Sequence, residues 1–302
     1  ATEFLGPEVK VFNDPLDVVR DDNVDIVIEL IGGTTTARTL LLEAISLSKP
    51  VVTANKALIA ECGNELFAQA AANGSIVAYE AAVAGGIPII KALREGLAGN
   101  RIDSVAGIVN GTTNFILSEM REKGMSFEEA LGDAQRLGYA EADPTFDIEG
   151  IDAGQKLAII AAVSFGISIQ PEKVYCEGIT KLTEADILAA EEFGYRVKLL
   201  AITKRRTDGF EMRVHPTLVP DKCVIASVDG PMNAVLVHGD AVGPTLYYGA
   251  GAGAEPTASA VIADVVDIAR SMGSLSETWV PALGRDLNSL ESQNVLPIEE
   301  VE

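Results

Sequence analysis

The chain has 302 residues, 48% hydrophobic and only 5% aromatic, and its 23 Lys and Arg against 44 Asp and Glu leave a formal charge of −21. That length supports two domains with separate cores, and the acidic balance argues against a nucleic-acid partner or an anionic membrane surface. No apolar run reaches the roughly 20 residues of a bilayer span, and the scattered Cys62, Cys176 and Cys223 form no CxxC pair, so the chain reads as a cytoplasmic protein without a zinc site.

The first third alternates apolar strands, at residues 24–31, 50–55 and 75–83, with helical patterns at about 37–48 and 56–73. Continuous apolar strands separated by helices predict a parallel sheet covered on both faces, part of a doubly wound, Rossmann-like α/β fold. Ligands of such sheets lie beyond the carboxyl ends of the strands, which puts GGTTT (32–36) and ANK (54–56) where a cofactor would sit. No GxGxxG turn precedes Gly32, although such a turn normally receives a dinucleotide's pyrophosphate. Residues 1–14 read as the approach to the strand at 24–31, and the usual first strand, glycine turn and helix are expected upstream of Ala1.

A second domain begins near Ile102. SVAGIVN (104–110) reads as a strand ending at NGTTN, and helices are expected at about 115–123 and 126–137, the latter opened by a Ser126/Glu129 capping box. The run GYAEADPTFDIEGIDAGQK (138–156) then packs five carboxylates and one lysine around a loop-to-helix junction. Pro144 disfavours helix at Asp143, which leaves Glu141 in a loop. After Gly150 a helical pattern places Asp152 and Lys156 four apart on one face. Alone, such a pair is an ordinary surface pair; here the helix continues as LAIIAAVSFGI, apolar almost all round and so buried, which sets the pair where the core meets a cleft. Strands at about 195–204, 211–218, 223–228, 234–237 and 245–248 suggest an open mixed sheet with helices on one face, an α+β unit, and GAGAG (249–253) precedes a helix beginning near Thr257.

Four blocks, ANK (54–56), GIVNGTTNFIL (107–117), GYAEADPTFDIEGIDAGQKLAI (138–159) and GAGAGAEPTASAV (249–261), resemble homoserine dehydrogenase in order and approximate spacing, and the resemblance runs over nearly the whole chain. It implies a nucleotide-binding part at 1–101, a substrate-binding and dimerisation part at 102–248, and a segment at 249–302 returning to the first. It also implies NADP- or NAD-dependent interconversion of aspartate 4-semialdehyde and homoserine, a small-molecule substrate, and a homodimer. Carried over position by position, Lys156 is the proton donor and Lys56 positions substrate and nicotinamide. Glu141 and Asp152 take the substrate ammonium, supported by Asp147, and Thr112 touches substrate. Gly32, Gly33, Thr34, Lys56, Gly138, Glu141 and Gly253 would hold the cofactor. A monovalent cation is implied at the backbone oxygens of Glu80, Val83, Gly85 and Ile87; sodium is the expected ion, although the residue types do not separate it from potassium.

His215 and His238 have no partners in sequence and read as structural, as does Trp279, an anchor for the C-terminal segment. NVLPIEEVE (294–302) has the composition of a linker, and feedback control through a following ligand-binding domain is expected to be absent. Two other readings stay open: a related amino-acid or semialdehyde dehydrogenase, because Glu141 and Asp152 specify an ammonium group but not chain length, and a non-catalytic chain lacking a complete cofactor site.

Overall fold

A computed structural model describes residues 9–272, 279–292 and 294–301; most of the expected approach to the first strand, residues 1–8, lies outside them. Asp14 caps a short helix, α1 (Pro15–Arg20), by accepting the Leu16 N–H. Strands β1 (Val27–Glu29), β2 (Val51–Thr53) and β3 (Val77–Ala78) then pair in parallel in that order, with α2 (Thr35–Ser46) and α3 (Lys56–Asn73) as the crossovers. Helix α3 begins where Asn55 accepts the Leu58 N–H and ends at Gly74, whose left-handed backbone (φ 58°) closes it.

These strands are shorter than the apolar runs that announce them. The first stops because the Glu29 carboxylate turns back to accept the Ile31 and Gly32 N–H groups. The third stops at a single 3-10 turn, Glu80–Ala82, followed by left-handed Ala84 and Gly85. The chain continues through α4 (Ile89–Lys91) and one wide π turn, Ala92–Gly96.

The second unit comprises β4 (Ile102–Ile108), α5 (Gly111–Lys123), α6 (Phe127–Arg136), α7 (Thr145–Ile148), α8 (Ile151–Phe165), β5 (Tyr175–Cys176), α9 (Glu184–Glu192), β6 (Tyr195–Arg205), β7 (Phe210–Pro220), β8 (Met232–Gly239) and β9 (Gly243–Ala250). Its six strands run in the order β5-β7-β6-β4-β8-β9, antiparallel except for β5 on β7. This is the open mixed sheet expected, and the Ser126/Glu129 capping box is formed. The apolar repeat at 223–228 is not a strand. Its centre is a 3-10 turn, Val224–Ser227, that lays Ile225, Ala226 and Val228 against Leu200 and Ala234 on the sheet face opposite the helices. Strand β5 and helix α9 are additions to the sequence reading, and the Thr183/Asp186 capping box that opens α9 is a signal that could have found it.

Helix α8 is the centre of this unit, with Leu157, Ile159, Ile160 and Ala162 inaccessible or nearly so; each large side chain so buried contributes about 1.5–3 kcal/mol. One apolar cluster runs from Val51 and Ile59 by the small sheet, through Ile89 and Leu97, to Leu157 and Val235. A last helix, α10 (Ala254–Ser271), returns to the small sheet and packs Ala260, Val261 and Ile268 on Val52, Ala78 and Ala81. Beyond it the Ala282 carbonyl accepts the Tyr79 hydroxyl (2.7 Å), and Val295 forms a bridge to Phe210. Trp279 donates its indole N–H to the Ser271 carbonyl, which ties this segment to the end of α10.

Candidate active site

The carboxylate of Asp152, on the first turn of α8, is 3% exposed and has a basic partner on each oxygen. Lys156, one turn along the same helix, lies 2.7 Å from Oδ2, and Lys56, at the start of α3, lies 3.1 Å from Oδ1. The Lys156 ammonium also donates to the Val109 carbonyl at the end of β4 (2.8 Å). Burial pushes the Asp152 carboxyl up, but Lys156 and Lys56, with hydrogen bonds from Lys156 and Asn110, outweigh it and hold the group below the ordinary carboxylate value. The i, i+4 spacing in sequence accounts for one of these pairs. The other exists only because α3 of the small sheet packs on α8 of the large one.

Asp147, on α7, shares the cluster through Asn110, whose Nδ2 donates to Asp147 Oδ1 (2.7 Å) and Asp152 Oδ2 (2.8 Å). Its carboxyl is raised, first by burial and then by the neighbouring Asp152 charge, against hydrogen bonding from Asn110. Thr112 is buried, and its hydroxyl donates to the Tyr139 carbonyl (2.7 Å), pinning the loop that carries Gly138 and Glu141 to α5. Glu141 itself is exposed; among the described residues its carboxylate has no ion-pair partner, and only its backbone carbonyl is engaged, by Gln135. The structure therefore gathers Lys56, Lys156, Asp152 and Asp147, and leaves Glu141 free at the edge.

On the small sheet, Gly32 and Gly33 adopt left-handed backbone (φ 76° and 72°) with open space where a Cβ would be. Thr34 follows as the N-cap of α2. Gly253 precedes α10, and Gly32, Asn55, Gly253, Thr257, Ile28 and Leu30 line one cavity of about 630 Å³. Two side chains hold the backbone at this cavity's rim: Asn55, within the ANK block already placed here by sequence, and Glu29, to which the sequence reading gave no role. Glu29, 3% exposed, accepts the Thr53 hydroxyl (2.7 Å) besides its two backbone N–H groups, and Asn55 donates to the Gly33 carbonyl (2.7 Å) while capping α3. An acid enclosed by apolar residues in the run 24–31 was the available signal for Glu29.

Left-handed Ala84 and Gly85 turn residues 83–87 tightly against residues 250–252, where a Cβ on Gly85 would come within 2.5 Å of the Gly251 carbonyl. The Glu80 carboxylate is committed to the Ile90 and Lys91 N–H groups (2.8 Å each), its own N–H goes to Asp264, and burial raises its carboxyl to about 7. Among the described residues no cluster of His, Cys, Asp and Glu with metal-binding geometry occurs, and no helix is long and apolar enough to cross a membrane.

A parallel sheet with a strand-end cavity, joined by its helix to a second domain through a two-lysine, one-carboxylate centre, defines a dinucleotide-linked α/β oxidoreductase. Comparison with known proteins carries this further. The family model "Homoserine dehydrogenase, NAD binding domain" matches residues 5–80, and the model "Homoserine dehydrogenase" matches residues 88–266. A homoserine dehydrogenase of Pseudomonas aeruginosa is 60% identical over 289 residues, covering 96% of this chain and 67% of the relative. A crystal structure of a homoserine dehydrogenase from Thiobacillus denitrificans superposes with a TM-score of 0.93 at 61% identity, over 96% of this chain and 67% of that one. A hyperthermophilic archaeal homoserine dehydrogenase in complex with NADPH superposes with a TM-score of 0.76 at 30% identity, over 89% and 79% of the two chains. The chain belongs to the homoserine dehydrogenase family.

Proposed function

We propose that this chain catalyses the NAD(P)-dependent interconversion of L-aspartate 4-semialdehyde and L-homoserine, with the division of labour between residues 1–101, 102–248 and 249–302 expected from sequence. The observation that carries the residue assignment is the convergence of Lys56 and Lys156 on Asp152 from two domains, at 3.1 and 2.7 Å. Lys156 gives its proton to the aldehyde oxygen in reduction and takes it back in oxidation; its attachment to Asp152 and the Val109 carbonyl fixes the direction from which it does so. Lys56 aligns substrate with cofactor and adds positive charge beside the developing alkoxide. Glu141, unpaired and exposed, receives the substrate ammonium, and Asp152, already holding two lysines, chiefly orients them. Asp147 supports the pair and Thr112 borders the substrate.

NADP or NAD, when bound, exchanges hydride with the substrate. The glycine loop Gly32, Gly33 and Thr34, with Lys56, Gly138, Glu141 and Gly253, would hold it. The fit rests on an open, largely apolar cavity and on backbone left bare by glycine on both rims. A monovalent cation, sodium or potassium, fits the turn at 80–87. The Val83 and Gly85 residues are buried, and among the described residues their carbonyl oxygens accept no protein hydrogen bond, which suits a hard ion joined by the Glu80 and Ile87 carbonyls.

The face of the mixed sheet opposite the helices, only partly covered by the 224–227 turn, supports a homodimer. Tyr248 and Val224 are exposed there, beside half-buried Ile202, Met232, Leu236 and Leu246, an apolar surface that a second copy would cover; Leu246→Asp should then yield monomers by light scattering, and an unchanged mass would refute the assignment. A cytoplasmic setting suits the free cysteines Cys62, Cys176 and Cys223.

The test of the activity is homoserine-dependent reduction of NAD and NADP, alongside Lys156→Ala. Turnover that disappears in the variant while Tm holds supports the assignment, and undiminished turnover removes Lys156 from the mechanism.

A further inference from the structure

Asn110 sits between the end of β4 and α5 and is 5% exposed. Its side chain uses every hydrogen-bonding position it has. Oδ1 accepts both the Thr113 N–H and the Thr113 hydroxyl, each at 2.9 Å, which makes Asn110 the N-cap of α5. With the oxygen held by two donors, the amide cannot flip without losing both, so the NH2 group must face the other way. There it meets Asp147 Oδ1 at 2.7 Å and Asp152 Oδ2 at 2.8 Å, one hydrogen for each carboxylate. The preceding residue contributes as well, because the Val109 carbonyl takes the Lys156 ammonium directly.

We propose that Asn110 is a positioning residue for the reaction: its amide clamps Asp147 and Asp152 together across α5, α7 and α8, and so fixes the Asp152 carboxylate that aims Lys156 and Lys56. The clamp is needed because the two aspartates carry like charge. Lys56 and Lys156 both attach to Asp152, and Asp147 has neither lysine within ion-pairing distance. Without a shared donor Asp147 would turn away or take up a proton, and Asp152 would lose the contact that sets its carboxylate plane. Capping alone does not explain the residue, since Asp and Ser cap helices about as well as Asn. An Asp at 110 would face two carboxylates with a third, and a Ser would reach neither.

The inference rests on Lys156 acting as the proton donor, and the test separates the two. Wild type, Asn110→Ser and Asn110→Asp are compared in kcat and kcat/KM for homoserine from about pH 6 to about pH 9.5, with Tm measured on each. Inactive wild type would defeat the functional reading; in that case the clamp is read from the carbon-13 titration of the Asp147 carboxyl, which should move upward in N110S. With active wild type, N110S should keep Tm within a few degrees and lose about 10–100-fold in kcat, the scale of a small misplacement of catalytic groups. Its acid limb should move to higher pH, because the carboxylates lose a donor to their charged form. N110D should be most impaired at alkaline pH and recover towards acid, where one of three carboxyls holds a proton and can donate in the amide's place. Wild-type kcat and pH profile in N110S or folded N110D would overturn the proposal. So would a loss of kcat and Tm together with an unmoved acid limb, which describes a helix cap and nothing more. If N110D does not fold, N110S decides.

Discussion

Lys56, the first residue of a helix on the parallel sheet, reaches 3.1 Å from Asp152 on the central helix of the mixed-sheet domain. The contact crosses the domain boundary, and Asp152 is the hub that binds both lysines. Asp152→Asn keeps the shape but removes the charge that holds two ammonium groups. Its kcat should fall by about 10²–10⁴-fold, comparable to losing a general acid's correct placement, with homoserine KM changing less. Steady-state kinetics check this; a kcat within twofold of wild type would show that the lysines need no anchor.

The two aspartates should also separate in pH. Asp152 is held low by its lysines, so the stability it contributes is present above the unfolded carboxyl value and lost only as pH falls through its lower folded one. Asp147 is raised, mainly by burial, so it takes up a proton at higher pH than an ordinary aspartate. The acid limb of kcat/KM should therefore lie above the usual aspartate value of about 3.9 and belong to Asp147. Asp147→Asn should abolish that limb or move it, and an identical limb in this variant would assign it elsewhere.

Glu29 joins the loop that follows β1 to the end of β2 by accepting from Ile31, Gly32 and Thr53. In Glu29→Gln an NH2 group must face either two N–H donors or a hydroxyl whose proton has lost its acceptor. The loop should loosen at a cost of about 1–2 kcal/mol, seen as a cofactor Kd raised about 5–30-fold in a fluorescence titration with NADPH and NADH. The homoserine KM should move much less; the reverse pattern would place Glu29 in the substrate site.

Gly85 and Gly251 meet backbone to backbone. A Cβ on Gly85, already at φ 53°, would lie 2.5 Å from the Gly251 carbonyl, and one on Gly251 would lie 2.0 Å from the Asn233 amide. Gly85→Ala and Gly251→Ala should each cost about 1–3 kcal/mol through overpacking, with Gly85→Ala also weakening any stabilisation by added sodium or potassium. Thermal melts with and without the salts, at matched ionic strength, test both. Unchanged Tm in both variants would mean the turn relaxes freely.

Much of the architecture could be read directly. Helix α3 begins at Lys56 and ends at Asn73 as its pattern predicts, because the Asn55 cap and the left-handed Gly74 lie beside the residues they control. The pairing of Lys156 with Asp152 follows from a spacing of four. The repeat at 223–228 misled for the same reason that the others succeeded: a short apolar run reads as strand, while only the sheet behind it decides whether those residues pair or pack. Glu29 and Asn110 were passed over because their side chains act on residues far along the chain or on several groups at once.

Composition, caps, turns and helical period are settled by hydrogen bonds and sterics within a few residues, and these the sequence determined by itself, together with the four blocks that mark the family. The tertiary structure alone decided that Lys56 would share a carboxylate with Lys156, that one amide would hold two aspartates, and that two glycines would touch. Each needs elements remote in sequence to pack to within an ångström or so, and that placement depends on the whole core rather than on any local pattern.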